Sequence, residues 1–241
     1  MKISIIGAGN VGSNFAARFR RAGVEDVSLY SPSLGNMSDF NPQEADVAII
    51  AVTDDAIPGL LASLPSAPST LWIHTSGSVG IDAFEPEKYP RRGIIYPLQT
   101  MLKGVEPDWD NVPIFIEGDD ELTSELARML SPRVAPLDSL SRRRAHAAAV
   151  LCCNLAMYLW SLSERVMTEA GLDFSMLRPL MELTLERAVS GSPEQSLTGP
   201  ARRGDLGTIH KHLDALDDET AEVYKLLTQN ILNRFHPELK I

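Results

Sequence analysis

Met1-Lys2-Ile3-Ser4-Ile5-Ile6-Gly7-Ala8-Gly9-Asn10-Val11-Gly12 opens the chain and decides its fold. A short β-branched run meets a GxGxxG turn, and the helix-forming stretch Asn14 to Arg21 follows. Each glycine has a physical task in holding a dinucleotide. Gly7 allows the sharp turn off the strand, Gly9 lets the backbone approach a pyrophosphate, and Gly12 lets the helix pack closely on the strand. The free N–H groups at the helix start, around Asn10 and Val11, then face the phosphates. The competing reading is a glycine turn in an unrelated α/β domain. The predicted strand before the motif and the predicted helix after it favour the cofactor.

Further short apolar runs at 26–30, 47–52, 70–74, 93–96 and 113–117 read as strands, with 134–137 as a last edge. Helices are predicted between several of them: 10–22 with Gly23 as its stop, 54–64 capped by Asp54-Asp55, and 121–130 ended by Ser131-Pro132. This alternation implies a doubly wound, mainly parallel α/β sheet. After Ser139 no convincing strand remains. A long helix is expected from 141 to 170, then helices at 175–190, 206–216 and 218–235, with a loop over 190–205. The division is therefore a dinucleotide domain over 1–138 and a smaller all-helical domain over 139–241. The long helix carries few charges after Arg144 and needs more apolar cover than the remaining helices offer, so a homodimer through this domain is expected.

Composition narrows the class. The chain of 241 residues has 44% hydrophobic and 22% charged residues, which suits a packed globular protein. A net charge of −10 argues against nucleic acid. The acidity sits in residues 1–138, which carry 10 Lys+Arg against 19 Asp+Glu. An anionic cofactor there must be held by local donors rather than by the overall field. The opening does not read as a signal peptide. The apolar stretch 145–160 is interrupted by Asn154 and reads as too short to span a bilayer. Cys152 and Cys153 are adjacent in a predicted helix, where a disulfide between them is implausible, so a reducing cytoplasm is expected. The histidines show no metal-ligand spacing.

The second strand ends in Leu29-Tyr30-Ser31-Pro32-Ser33, with no acid to hold a ribose 2′-OH. Ser31 and Ser33 offer donors to a 2′-phosphate, which favours NADP. No Arg or Lys occurs between residues 22 and 87, so NAD stays open, and the serines would equally form a turn. Val52-Thr53, Thr75-Ser76-Gly77 and Gln99-Thr100 lie at the ends of the next three strands. Small hydroxyl and glycine residues there make a polar crevice, the expected place for cofactor and substrate.

His146 heads the long helix and is the first candidate for moving a proton during hydride transfer, with Asn154 about 80° round the helix to orient a substrate. A capping histidine and a helix-joining asparagine are the structural alternatives. In the loop Thr198-Gly199-Pro200-Ala201-Arg202-Arg203-Gly204-Asp205, Asp205 fits a helix N-cap, whereas Arg203 and Thr198 are candidates to bind substrate. A salt bridge to Asp205 is the alternative for Arg203. The triplet Arg142-Arg143-Arg144 sits at a helix N-terminus, where cations oppose the dipole, and so suggests an anionic neighbour.

Taken together, GAGNVG, VTDDAI, HTSGS, YPLQT, RRRAHAAAVLCCN and LTGPARRGD followed by His212 resemble a bacterial family. In that family a Rossmann-like domain precedes a helical domain of unknown function, numbered 2520. The resemblance covers nearly the whole chain. It implies an NADP oxidoreductase of unassigned substrate, similar in architecture to pyrroline-5-carboxylate reductase, ketopantoate reductase and 6-phosphogluconate dehydrogenase. Met157, Tyr158, Leu197 and Glu182 depart from the family pattern and make the expected active-site mouth more apolar. Those dehydrogenases carry a lysine or other strong proton donor on the first helix of the second domain; this chain offers His146. The leading expectation is hydride transfer to or from a small carbonyl or imine held between the two domains. A non-catalytic dinucleotide sensor or scaffold is the alternative, and a deazaflavin enzyme a third.

Overall fold

A computed structural model describes residues 1–241. The chain divides into two compact units, 1–154 and 155–241.

The first unit is built on a seven-stranded sheet: β1 (Lys2–Ile6), β2 (Asp26–Tyr30), β3 (Val47–Ile50), β4 (Leu71–His74), β5 (Arg92–Pro97), β6 (Ile114–Glu117) and β7 (Val134–Pro136), in the order β2-β1-β3-β4-β5-β6-β7. The first five strands of that order run parallel. Alternation along each strand splits the core into two layers. Ile3, Ile5, Val47, Ile49, Leu71 and Ile73 face one side, where α1 (Asn10–Arg21) brings Phe15 and Phe19. Ile6, Ala48, Ile50 and Trp72 face the other, where α2 (Ala56–Ser63) brings Ile57 and Leu61. α3 (Glu121–Leu130), capped by Asp120, joins the first layer through Leu126 and Leu130.

Two local expectations are corrected. β6 runs antiparallel to β5. No helix connects these two strands, only turns that include Trp109–Asn111, so the chain doubles back instead of crossing over. Neither Asp54 nor Asp55 caps α2 with its side chain; Asp54 instead accepts a hydrogen bond from Ser78 Oγ. The compact unit also continues past residue 138, because α4 (Ser139–Ala149) carries Arg142 into the interior against the loop after β4. The expected boundary marks the end of the sheet; the compact unit ends at Asn154.

α4 continues through a π-helical segment, Val150–Leu155, into α5 (Ala156–Glu169). The whole helix, 139–169, is long and apolar enough to cross a membrane by length and composition, contrary to the reading of 145–160 as too short.

The second unit holds α5, α6 (Arg178–Ser190), α7 (Pro193–Ser196), α8 (Pro200–Arg203), α9 (Leu206–Leu213) and α10 (Asp218–Phe235). The expected loop 190–205 contains two single helical turns, α7 and α8, each opened by a proline at its first position. Asp205 caps α9 by accepting from Thr208 N at 3.0 Å, as expected. The buried core is small: Ala201, Ile209 and Leu232, flanked by Leu206, Leu213, Tyr224 and Ile231. Arg165 ties α5 to the head of α10 through Asp217, Glu219 and Thr220. An apolar cavity of about 590 Å³ lies within this unit, lined by residues including Leu159, Val166, Leu216 and Leu227.

Candidate functional site

The five parallel strands end on one edge of the sheet. Gly7 turns off β1 with φ +117°, and its N–H donates to Tyr30 O at 2.8 Å. A Cβ at Gly7 would lie 2.2 Å from Ala51 O, and one at Gly12 would lie 1.9 Å from Gly7 O. These two glycines are therefore required by packing. Gly9 is different: it is exposed and a Cβ there would meet nothing within 4 Å. No side chain caps α1 and no acid lies in its first turn. An open glycine before an uncapped helix start fits a diphosphate, because backbone donors there have room for a bulky anion. Asn10 Oδ1 accepts from Lys103 N at 3.0 Å, and Asn14 Nδ2 donates to Leu102 O at 3.0 Å. These bonds hold the turn after β5, with exposed Lys103, against the head of α1.

At the end of β2, Ser31 is buried and its Oγ accepts from Ser33 N at 3.2 Å. The two hydroxyls lie 2.8 Å apart, and Ser31 N donates to Asn36 Oδ1. The serines thus form the turn, with Ser33 exposed at its surface. The first acid beyond the strand is Asp39. Val52 and Thr53 follow β3; Val52 is half-buried and Thr53 exposed.

The loop after β4 is the most tightly tied part of this edge. His74 is fully buried, stacks on Phe84, accepts from Ser76 N at Nδ1 and donates from Nε2 to Gly80 O at 3.3 Å. Burial is the main cause that lowers its pKa to about 4. Ser76 Oγ accepts from Ser78 N and Val79 N. Arg142, 1% exposed, donates to Ser76 O at 3.2 Å and Val79 O at 2.5 Å, and pairs with Glu117. The anionic neighbour expected for the arginine triplet is this Glu117, at the end of β6.

Against that fixed loop lies His146. A Cβ at Gly77 would sit 2.7 Å from the ring atoms Cγ and Nδ1 of His146, so only glycine leaves room for the imidazole. Nδ1 lies 2.9 Å from the phenol oxygen of Tyr96 at the end of β5. Burial raises the Tyr96 pKa to about 12; Asp54 adds to the rise and Arg142 opposes it.

The structure thus gathers Gly7, Gly9, Gly12, Ser31, Thr53, Thr75, Ser76, Gly77 and His146 within the first unit. Gln99 and Thr100 are exposed just beyond β5, with Gln99 Oε1 accepting from Thr100 N. Asn154 is exposed in the π-helical segment and shares no hydrogen bond with His146. The wider i→i+5 winding there removes the 3.6-residue spacing on which the 80° separation rested. Thr198 and Arg203 belong to the second unit; both are exposed, and Arg203 makes no salt bridge with Asp205. His212 turns toward α10, where its Nδ1 and the Tyr224 hydroxyl share a hydrogen bond at 2.8 Å. Tyr96, Arg142 and Glu117 escaped the sequence reading as site residues. Tyr96 sits in the YPLQT strand end already marked as polar, and that was its only signal.

His74 also gives the first unit a pH dependence. The folded state keeps this ring neutral down to about pH 4, whereas the unfolded chain protonates it near the ordinary value of 6.5. Its contribution is therefore complete above pH 6.5 and is lost as pH falls toward 4. We expect denaturant unfolding to show a loss of up to about 3 kcal/mol over that window. Three carboxylates with lowered values, Asp138, Asp205 and Asp217, lose their contributions only lower, below their ordinary range near 3.8. A His74→Gln chain with an unchanged slope between pH 6.5 and 4.5 would remove the assignment.

Parallel strands ending on one edge, with the glycine turn and the free head of α1 beside them, define a Rossmann-type protein followed by a helical unit. The comparisons place it further. The chain belongs to the family of Rossmann-like proteins that carry domain of unknown function 2520, which matches residues 112–231. It is 31% identical to a Bacteroides fragilis protein described as a "putative NADP oxidoreductase", over 95% of this chain and 97% of that chain, with a TM-score of 0.85. A reductive aminase from Aspergillus terreus, solved with NADPH and ethyl-5-oxohexanoate, gives a TM-score of 0.67 at 13% identity, over 97% of this chain and 94% of that one. An imine reductase from Myxococcus stipitatus, solved with NADP+, gives 0.67 at 11% identity, over 98% and 96%. These two share the fold. No curated protein matches the chain.

Proposed function

We propose that the chain is an NADP-dependent oxidoreductase acting on a small carbonyl or imine. The observation that carries this is the open Gly9 at the head of an uncapped α1, between Gly7 and Gly12 that packing requires. Backbone donors of α1 at Asn10, Val11 and Gly12 would hold the diphosphate. Val52, Thr53, Thr75, Ser76 and Gly77 would line the rest of the dinucleotide along the strand edge. Absence of an acid at the end of β2, with Ser33 exposed on the Ser31 turn, favours a 2′-phosphate over a bare ribose. The descriptions of the Bacteroides fragilis, Aspergillus terreus and Myxococcus stipitatus proteins support the same cofactor.

When bound, the reduced nicotinamide supplies a hydride. The chain must then bind the substrate, orient it and provide a proton. His146 is the group for that proton. Its Nε2 has no hydrogen-bond partner in the protein, and its ring is fixed by Gly77 and Tyr96. Gln99 and Thr100 offer substrate contacts just past β5. Titration with NADPH and NADH, read by nicotinamide fluorescence, tests the reading. Tighter binding of NADPH supports it, and no response to either sinks it.

We also propose that the helical unit pairs with a second copy. Leu151, Leu155, Met157 and Trp160 are exposed on the long helix, and Leu180, Leu185 and Val189 on α6. A membrane is a poorer cover. The N-terminal part of that helix lies in the first unit with Arg142 buried, and Arg165 on α5 is ion-paired. The mass in solution should be twice the 26.4 kDa of the chain, read by light scattering. A monomer without detergent would remove the proposal.

A further inference from the structure

We infer that Tyr96 decides which nitrogen of His146 carries the proton, so that the resting imidazole presents Nε2–H to the substrate. This rests on the oxidoreductase reading for its catalytic consequence, but not for its physical basis. The phenol is 7% exposed and its one polar partner is His146 Nδ1, at 2.9 Å. The rings meet edge to face, with centroids 5.7 Å apart. Burial holds the phenol protonated at any ordinary pH, so it has a proton to donate. Facing a neutral imidazole, it donates to Nδ1, and the ring proton then belongs on Nε2. Two charged groups bear on the phenol, Asp54 and Arg142, and each is already engaged, with Ser78 and with Glu117.

Gly77 packs along the Cβ, Cγ and Nδ1 edge of the ring, on the side where any larger residue would collide with it. In the imidazolium form, Nδ1–H donates to the phenol oxygen instead, so the pair survives protonation with its direction reversed. Proton transfer from this imidazolium breaks the Nε2–H bond toward the substrate oxygen or nitrogen, and the electron pair of that bond stays on Nε2. Nε2 then takes a proton from solvent as Nδ1 releases its own, and the phenol donates to Nδ1 again, which restores the resting tautomer. Tyr96 is thus a positioning residue that acts through His146.

Tyr96→Phe keeps the ring volume and removes only the hydroxyl. The test is 15N NMR of the imidazoles in the protein without cofactor, in mildly alkaline solution. His146→Gln identifies the signal by its loss. In the parent, His146 should show one tautomer, with Nδ1 unprotonated. In Tyr96→Phe the two nitrogens should move toward averaged shifts. A parent spectrum with Nδ1 protonated, or shifts unchanged in Tyr96→Phe, overturns the inference. In turnover, the same variant should lose about tenfold or more in kcat with KM little changed, and should alter the pH profile. If the protein binds no nicotinamide dinucleotide, the oxidoreductase reading fails while the NMR result still decides the role of Tyr96.

Discussion

Gly9→Leu should fold as the parent does and bind NADPH at least about a hundredfold more weakly, a loss of about 2.7 kcal/mol. The reason is the unusual freedom of this position. Gly9 has φ −78°, a value any residue adopts, and a Cβ there meets no atom within 4 Å. Losing glycine at the helix N-cap position costs about 1 kcal/mol at most. The added side chain instead occupies the space in front of the α1 donors, where a diphosphate needs direct contact with the backbone. Gly7→Ala and Gly12→Ala are the contrasting controls. Each drives a Cβ into backbone, at 2.2 and 1.9 Å, and should lower stability before binding is considered. The measurements are thermal unfolding and NADPH fluorescence on the same samples. A stable Gly9→Leu chain with undiminished NADPH affinity would falsify the diphosphate assignment.

Replacing Arg142 should be the most damaging single change in the first unit. Its guanidinium is sealed from water and serves Glu117, Ser76 O and Val79 O together. Arg142→Met leaves a partly buried carboxylate without its cation and two carbonyls without donors. Breaking such a pair from one side costs about 3–5 kcal/mol. Arg142→Met with Glu117→Gln should recover part of that loss, because the uncompensated charge is gone while the two carbonyls still lack a donor. Urea unfolding of the two variants decides the matter. Equal stability of the single and double variants would show that the ion pair is not what holds the loop. Since Gly77 lies in that loop, the single variant should also disturb the His146 environment.

Much of this fold is written locally. The β-branched runs at 2–6 and 47–50 are short, apolar and bounded by turns, and alternation along them produces the two core layers. Gly7, Gly9 and Gly12 are recognisable because one backbone geometry demands glycine at fixed spacing. The direction of β6 was not legible, since Ile114–Glu117 reads the same whichever way it pairs. The angular position of Asn154 was not legible, because nothing in the sequence marks the π-helical segment. The pairing of Tyr96 with His146 joins residues 50 apart, and that of Glu117 with Arg142 residues 25 apart. Nothing in either local pattern records the other partner. The arginine triplet announced an anionic neighbour, because cations at a helix start oppose the dipole, but not whether that neighbour is a phosphate or an acid.

The contact between Gly77 and His146 reaches beyond this single chain. A methyl group at 77 and an imidazole at 146 compete for one volume, so neither site drifts alone over evolutionary time. Among relatives, alanine or serine at the first position should coincide with a smaller residue at the second. Such covariation would report the loss of the imidazole more reliably than either column read by itself.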